Sequence, residues 1–227
     1  VLEYKGCLKD YFNDLNLTKN NFFTDISNYL MYEVGQPTHC YDANKIKDKI
    51  LLKEINHDQD FETLHEITIK LTGKNNVFFI NEDPINLAGI MGGKNTACSN
   101  DTTSIILECA YFEPEEIMGK SVKYDINSDA AHKFERGVDP LSHDKVIRRF
   151  IQIVQDHAEI KSMMLFQDDN YKYETKTISL DHNKINNIIG TNISNSDYIK
   201  HLQSLNFEIN NNLVMVPSYR NDISFQN

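Results

Sequence analysis

The chain has little of several residue types that would point to a special class of protein. It contains no tryptophan, five prolines and nine glycines in 227 residues, and its four cysteines are widely spaced. No two cysteines form a C-x-x-C pair, which argues against a structural zinc site or a disulfide framework. No apolar run approaches the ~18 residues of a membrane-spanning helix. We therefore predict a globular protein with no membrane partner and no metal site.

The two ends of the chain suggest where the protein works and how complete it is. The first residues, V-L-E-Y-K-G-C, lack the basic start and apolar core of a signal peptide, so we expect a cytosolic protein. They also lack an initiator methionine, and the last residues stop without a clear terminal element. We interpret the chain as a piece of a longer protein.

The charge of the chain bears on nucleic-acid binding. The formal net charge is −10, which argues against general binding to DNA or RNA, because phosphate contacts need Lys and Arg. A local contact with RNA stays open, since one region is richer in basic residues. This basic cluster consists of Lys133, Arg136, Arg148 and Arg149. It could approach RNA, or it could form ion pairs with Asp139 or Asp144.

The apolar pattern up to about residue 166 alternates between helical and strand-like spacing. Residues 22–34 carry an apolar helical stripe that Gly35 and Pro37 end, and His39 lies in the turn that follows. Strand-like patterns cover residues 49–71 and 77–112. The remaining predictions are a helix opening at Pro114, a helix from Asp139 and Pro140 to about His157, and a strand at 161–166.

A polar stretch near residue 175 marks a predicted domain boundary. Beyond it come a short strand, a helix capped by Asp181 and closed by Gly190, a helix from about Ser194, and two short apolar segments. We therefore predict an α+β fold, with a mixed-sheet domain over residues 1–174 and a small winged-helix-like domain over 175–227.

The most informative local feature is a glycine-rich turn followed closely by a lone acid. Gly89, Gly92 and Gly93 fall within five positions, and Glu108 stands inside an apolar, strand-like run. An unpaired buried carboxylate costs several kcal/mol or protonates, so these residues predict a pocket that reads a polar group on an apolar ligand. Two alternatives stay open: Glu108 as a structural acid paired with a lysine or a backbone N–H, and Gly89 as a plain tight turn.

Several long motifs together resemble the β subunit of bacterial phenylalanyl-tRNA synthetase, in order and in spacing. They are G-Q-P-T-H-C-Y-D at 35–42, L-A-G-I-M-G-G at 87–93, L-E-C-A-Y-F at 107–112, D-A-A-H-K-F-E-R-G-V-D-P at 129–140 and P-S-Y-R-N-D-I at 217–223. The first four resemble the editing region of that subunit, and the last resembles the domain that follows it. The resemblance covers nearly the whole chain.

The resemblance implies an editing activity. The family's synthetase occasionally charges its tRNA with tyrosine, and the editing site hydrolyses the ester of the mischarged Tyr-tRNA(Phe). A site built to bind the extra hydroxyl can reject phenylalanine, because its own polar groups would then be left unpaired. The resemblance further implies the α subunit as a partner, no cofactor in this fragment, and ATP and Mg²⁺ for the whole enzyme.

The resemblance also assigns roles to single residues. Glu108 matches the carboxylate that reads the tyrosine hydroxyl, and the pocket walls correspond to Gly92, Gly93, Ala130 and Ser128. His39 matches the histidine near the scissile ester, where we expect it to bind the terminal ribose or the attacking water; a structural turn histidine is the alternative. Asn28 and Ser27 match polar positions that face this water, and the helical spacing places Asn28 off the apolar stripe.

Some positions depart from the commonest family pattern. Ser128 and Ser27 stand where threonine is usual, and Cys40 and Tyr41 replace the more frequent Ala-Phe after the histidine. We expect these changes to keep the chemistry and to loosen the pocket. A different class of function stays open, namely a non-catalytic scaffold that docks tRNA or the partner subunit after its editing has decayed.

Overall fold

Helices and antiparallel strands alternate along the chain. The computed structural model describes residues 2–167 and 172–223. Its helices are α1 (Gly6–Asp14), α2 (Phe22–Val34), α3 (Pro114–Ile117), α4 (Lys120–Lys123), α5 (Asp129–Phe134), α6 (His143–His157), α7 (His182–Ile189) and α8 (Asn195–Ser204). Its strands are β1 (His39–Asp42), β2 (Ile50–Asn56), β3 (Gln59–Glu62), β4 (Thr68–Leu71), β5 (Lys74–Ile80), β6 (Asp83–Leu87), β7 (Met91–Gly92), β8 (Ile105–Glu108), β9 (Thr177–Ser179), β10 (Glu208–Asn210) and β11 (Leu213–Met215).

The α+β class is confirmed, and the strand pairs among the described residues are antiparallel rather than mixed. One sheet has the order β2-β5-β6-β7, and β1-β8 and β3-β4 form separate pairs. Turns of two to five residues join β3 to β4, β5 to β6 and β6 to β7, and connections this short suit antiparallel neighbours. No helix in the described part of the chain is long and apolar enough to cross a membrane.

The chain divides into two compact units. The first comprises Val1–Val138 and Ser142–Met164, and the second comprises Asp139–Leu141 and Leu165–Asn227. The domain boundary at residues 174 and 175 stays a prediction.

Helix α2 has the bounds that its apolar stripe predicts. Asn21 caps its first turn by accepting a hydrogen bond from the backbone N–H of Thr24, and Gly35 ends it in the left-handed conformation. Ile26 and Leu30 are buried on its inner face, in a cluster that α1 and α6 complete. The stripe therefore fixes which face of α2 turns toward the core. It also fixes the direction of the side chains between Ile26 and Leu30, which include Ser27 and Asn28.

A second core lies under the glycine turn. The β6–β7 turn buries Ile90 and Met91 in a cluster that also holds Ala131 and Phe134 of α5. A third, smaller cluster surrounds Tyr41 on β1. The first unit thus packs the glycine turn, α5 and strands of the four-stranded sheet around one apolar centre. Gly92, which follows the turn, lies against the His39 ring of β1.

Several predicted elements differ from the structure. Helix α6 begins at His143, because the Asp139 carboxylate instead accepts a hydrogen bond from the backbone N–H of Leu141 and forms a turn. The strand predicted at 161–166 is wrong: these residues form no regular element, and the Phe166 side chain is 91% exposed. Without a neighbouring strand, the backbone N–H and C=O groups of an apolar run have no strand partners for their hydrogen bonds. Helix α1 was not predicted.

The second unit has the element order that its sequence predicts. Strand β9 is followed by α7 and α8 and then by the β10–β11 hairpin, and the sheet order is β10-β11-β9. Asp181 and Ser194 cap the two helices through their side chains, and Gly190 ends α7 in the left-handed conformation. Its small core consists of Leu180, Phe207 and Val214 with flanking apolar residues.

An ion pair joins α2 to α6. Arg149 donates two hydrogen bonds to the Glu33 carboxylate, at 2.8 and 2.9 Å, and Tyr29 donates a third at 2.7 Å. About a quarter of each charged side chain is exposed (26% for Arg149 and 29% for Glu33). The bond from Arg149 holds the pKa of the Glu33 carboxyl below its usual value. This geometry is bidentate and shielded, which is the arrangement in which an ion pair stabilises most.

We predict that Arg149→Ala lowers the free energy of unfolding by about 1–3 kcal/mol, since it leaves the Glu33 carboxylate without its charged donors. The neighbouring Arg148 pairs with Asp144 with both side chains mostly exposed, so Arg148→Ala is the matched control and should cost less than ~1 kcal/mol. Urea unfolding of the two variants measures the difference. Equal costs would contradict a stabilising role for the α2–α6 pair.

Candidate functional site

The pairing of β1 with β8 brings the predicted histidine and acid together. His39 lies directly opposite Glu108 in the antiparallel register. This places His39 at the first position of a strand, where we had predicted a turn. Because side chains alternate along a strand, Tyr41 lies on the same face as His39. The two rings meet edge to face, with their centroids 4.5 Å apart.

The Glu108 carboxylate is half-buried and receives a phenol. Tyr41 donates from its hydroxyl to Oε2 of Glu108 at 2.5 Å. The Asn86 side-chain amide on β6 donates to the Tyr41 hydroxyl oxygen at 2.8 Å and lies 3.5 Å from Oε2 of Glu108. Burial raises the pKa of Glu108 to about 7, and the hydrogen bond from Tyr41 opposes this rise. Within the part of the chain that the structure describes, the polar partners of this acid are therefore the neutral side chains of Tyr41 and Asn86, neither a lysine nor a backbone N–H.

His39 carries an unused polar atom. Its Nε2 is buried and makes no hydrogen bond within the described residues, and the same is true of Oγ1 of the preceding Thr38. Burial lowers the pKa of His39 to about 4, so the imidazole is neutral near pH 7. Buried polar atoms without protein partners are uncommon, and a ligand or water can pair with them. The start of β1 thus offers one hydroxyl and one ring nitrogen to a bound molecule.

The glycine turn is shaped by close contacts. A Cβ built on Gly92 would overlap Cε1 of the His39 ring and lie 2.9 Å from Nε2, and a Cβ on Gly93 would lie 2.8 Å from the Ile85 carbonyl oxygen. Gly89 has a φ of +70°, which favours glycine. Gly92 therefore makes room for the His39 ring itself. The role of Gly92 and Gly93 in admitting a ligand stays a prediction.

Ser128 links the glycine turn to α5. Its hydroxyl donates to the Ile90 carbonyl oxygen at 2.6 Å and accepts from the backbone N–H of Ala131 at 3.1 Å. Ala130 is half-buried against the same core. The predicted pocket walls thus lie beside one another, and the Ser128 hydroxyl already has two protein partners.

The side chains of the two predicted residues of α2 have different surroundings. Ser27 is buried, and its hydroxyl lies 3.4 Å from the Cys40 thiol. Asn28 is half-buried and lines a cleft of about 230 Å³ together with Thr18 and Asp129, among others. The lining of this cleft does not include His39 or Glu108. The structure therefore gathers His39, Glu108 and Gly92 closely, and it places Asn28 at a separate cleft.

Two polar residues of the site were not among those predicted. Tyr41 was noted as a departure from the family pattern, and Asn86 was not singled out at all. Both become visible once the strand pairing is known, because Asn86 lies opposite Gly92 in the β6–β7 register. The position of Tyr41 two residues after His39 in a strand is the signal that could have identified it.

Three members of the predicted basic cluster form ion pairs. Arg149 pairs with Glu33, Arg148 with Asp144, and Arg136 with Glu135. This agrees with the ion-pair alternative at these positions, including the expected partner Asp144. Within residues 2–167 and 172–223, no group of three or more His, Cys, Asp and Glu side chains is placed to hold a metal ion.

The comparisons with known proteins assign the family. Residues 7–159 match the B3/4 domain, and residues 178–226 match the tRNA synthetase B5 domain. The chain therefore belongs to the B3/4 domain family and carries a B5 domain after it. This is the domain pair of the phenylalanine–tRNA ligase beta subunit, the class of protein that the sequence resembles.

Two curated relatives are similar to most of the chain. The chain is 30% identical over 211 residues to the phenylalanine–tRNA ligase beta subunit of Francisella tularensis, and 31% identical over 233 residues to that of Fusobacterium nucleatum. These alignments cover 89% and 99% of the chain but only 27% and 29% of the relatives. An N-terminal fragment of the Pyrococcus horikoshii phenylalanyl-tRNA synthetase beta subunit aligns over 89% of this chain and 61% of its own, with a TM-score of 0.39 and 12% identity.

The facing pair predicts opposite effects of pH on stability. The pKa of Glu108 rises from 4.5 to about 7 on folding, so its contribution is full below pH 4.5 and is lost as pH rises to 7. The pKa of His39 falls from 6.5 to about 4, so its contribution is full above pH 6.5 and is lost as pH falls to 4.

Between pH 4.5 and 6.5 we therefore expect Glu108→Gln to gain stability relative to wild type as pH rises, and His39→Gln to lose it. Each relative slope should be at most about 1.4 kcal/mol per pH unit, the value for one proton. Thermal or urea unfolding across this range measures both. Relative slopes of the same sign in the two variants would contradict the opposed shifts.

A third prediction concerns Gly92. We expect Gly92→Ala to lower the free energy of unfolding by about 1–3 kcal/mol, because its methyl group would overlap the His39 ring. If this overlap is the cause, the cost should fall by more than half in a His39→Ala background. A double-mutant cycle in urea measures the coupling, and additive costs would show that Gly92 is needed for another reason.

Proposed function

We propose that the His39–Glu108 site hydrolyses the ester of Tyr-tRNA(Phe), as the proofreading site of a phenylalanine–tRNA ligase. One observation carries this proposal: His39, whose buried Nε2 has no hydrogen-bond partner among the described residues, lies directly opposite Glu108 in the β1–β8 register. Glu108 already accepts a hydrogen bond from the phenol of Tyr41, at 2.5 Å, and a substrate tyrosine would donate to the same carboxylate.

Glu108 would recognise the hydroxyl that separates tyrosine from phenylalanine. A hydrogen bond from a phenol to a carboxylate contributes about 1.5–3 kcal/mol, or roughly ten- to a hundredfold in selectivity. Gly92, Gly93, Ala130 and Ser128 would shape the walls around the ring. Since Gly92 already lies against His39, ring binding and the position of the histidine would be linked.

His39 would bind and orient rather than abstract a proton. A general base works best with a pKa near the working pH, and burial lowers the pKa of His39 to about 4. Its neutral Nε2, with Thr38 Oγ1 beside it, is suited to hydrogen-bond the terminal ribose or the attacking water. Water would add to the ester carbonyl carbon and the bond from that carbon to the ribose oxygen would break. The ribose oxygen would leave as a hydroxyl, carrying the proton that the attacking water gives up.

Ser27 and Asn28 would face this water once tRNA is bound. The Ser27 hydroxyl lies against the Cys40 thiol, and the cleft that Asn28 lines does not include His39. A movement of α2 on tRNA binding would be needed to bring both to the ester.

The remaining parts of the proposal concern the whole ligase. Its tRNA, its α subunit, its cytoplasmic location and its use of ATP and Mg²⁺ would follow from membership of the family. We place the aminoacylation site outside this chain. A second candidate, a scaffold without hydrolysis, is favoured by one observation: the Glu108 acceptor already has an internal phenol.

The test is deacylation of Tyr-tRNA(Phe) by the intact ligase and its Glu108→Ala variant. We expect the variant to be slower by about ten- to a hundredfold, with normal charging of tRNA by phenylalanine. Glu82→Gln is the charge control, since the Glu82 side chain is 96% exposed. Equal rates in wild type and Glu108→Ala would refute hydroxyl reading, and no hydrolysis by wild type would favour the scaffold.

A further inference from the structure

Tyr41 is an internal phenol in contact with the acid that would read a substrate phenol. Its side chain is only 1% exposed and packs with Ile80 and Ile85. Its hydroxyl donates to Oε2 of Glu108. Oε1 of Glu108 makes no hydrogen bond within the described residues, and it is not among their fully buried unpartnered atoms. Oε2 of Glu108 therefore already has a donor, whereas Oε1 has none among the described residues.

Asn86 directs the phenol toward the acid. Asn86 is buried, and its Nδ2 donates to the hydroxyl oxygen of Tyr41 at 2.8 Å. With that oxygen accepting from the amide, the phenol proton lies toward Glu108, the acceptor at 2.5 Å. The result is a directed chain of hydrogen bonds from β6 through β1 to β8. These hydrogen bonds hold the internal phenol against the acid.

We propose that Tyr41 is a specificity-determining residue that weakens the preference of the Glu108 site for a hydroxyl-bearing amino acid. This inference rests on the proposed editing function and deepens it. It concerns which aminoacyl ester the site accepts and leaves the hydrolytic step unchanged.

The physical reason lies in how such sites discriminate. A site rejects the ligand that lacks a hydroxyl mainly because its own buried polar group is then left unpaired. In this chain the Glu108 carboxylate keeps a phenol donor even when phenylalanine is bound. The penalty for binding phenylalanine is therefore smaller, and a second phenol on the same carboxylate gains less than the first would.

The test compares two aminoacyl esters in the intact ligase carrying Tyr41→Phe, which removes one oxygen and keeps the ring that packs on His39. We measure kcat/KM for deacylation of Tyr-tRNA(Phe) and Phe-tRNA(Phe) at pH 8, above the pKa of about 7 of Glu108 in the native site. We expect the ratio of the two values to rise about tenfold, chiefly through slower hydrolysis of the phenylalanine ester.

The matched control is Tyr29→Phe, which removes a phenol that also donates to a glutamate, Glu33, at 2.7 Å. Its ratio should equal that of wild type. If wild type hydrolyses Tyr-tRNA(Phe) and Tyr41→Phe leaves the ratio unchanged or lowers it, the inference is overturned while the proposed function stands. If wild type is inactive and Tyr41→Phe gains tyrosine-specific hydrolysis, the inference is supported. Inactivity of both would overturn it together with the function.

Discussion

The site depends on one constraint, the antiparallel register that sets His39 opposite Glu108. The register places Tyr41 on the same face as His39, so that its hydroxyl reaches the acid. It also brings the His39 ring against Gly92, where a side chain would overlap it. A slip of one residue would turn Glu108 to the other face of the strand pair. The histidine, the phenol, the acid and the glycine therefore form one arrangement.

Burial gives this arrangement its electrostatic character. It raises the pKa of Glu108 and lowers that of His39, so both groups are displaced toward their neutral forms. Such shifts in facing groups are common at functional sites. Two buried polar atoms at the start of β1, Nε2 of His39 and Oγ1 of Thr38, have no hydrogen-bond partner among the described residues. The site thus combines the Glu108 carboxylate, which accepts a hydrogen bond from Tyr41, with Nε2 of His39 and Oγ1 of Thr38, which have no partner among the described residues.

Helices were predictable from the sequence where their apolar stripe and capping residues lie within the helix or next to it. The apolar stripe and the caps of α2, and the Asp181, Gly190 and Ser194 signals of the second unit, gave the correct elements. These features depend on neighbours within a few residues. The start of α6 was predicted too early, because a turn at Asp139 competes with the helix for the same backbone groups.

The composition of the site was predictable only in part. The motifs indicated His39, Glu108 and the glycines, yet the contact between Tyr41 and Glu108 joins residues 67 positions apart. Asn86 enters through a second strand pairing. Register between distant strands is not written in composition or periodicity, so these partners needed the structure. Ser27 and Asn28 share a helix but face different surroundings, which spacing alone does not resolve.

We propose Glu108 as the acceptor for a substrate phenol. The most direct test of this proposal is a crystal structure of the intact ligase with a hydrolysis-resistant amide analogue of tyrosyl-adenosine. We expect the ligand hydroxyl at about 2.7 Å from Oε1 of Glu108, with the adenosine ribose within hydrogen-bond reach of His39. A ligand ring bound elsewhere, with Glu108 in contact only with Tyr41 and Asn86, would contradict it.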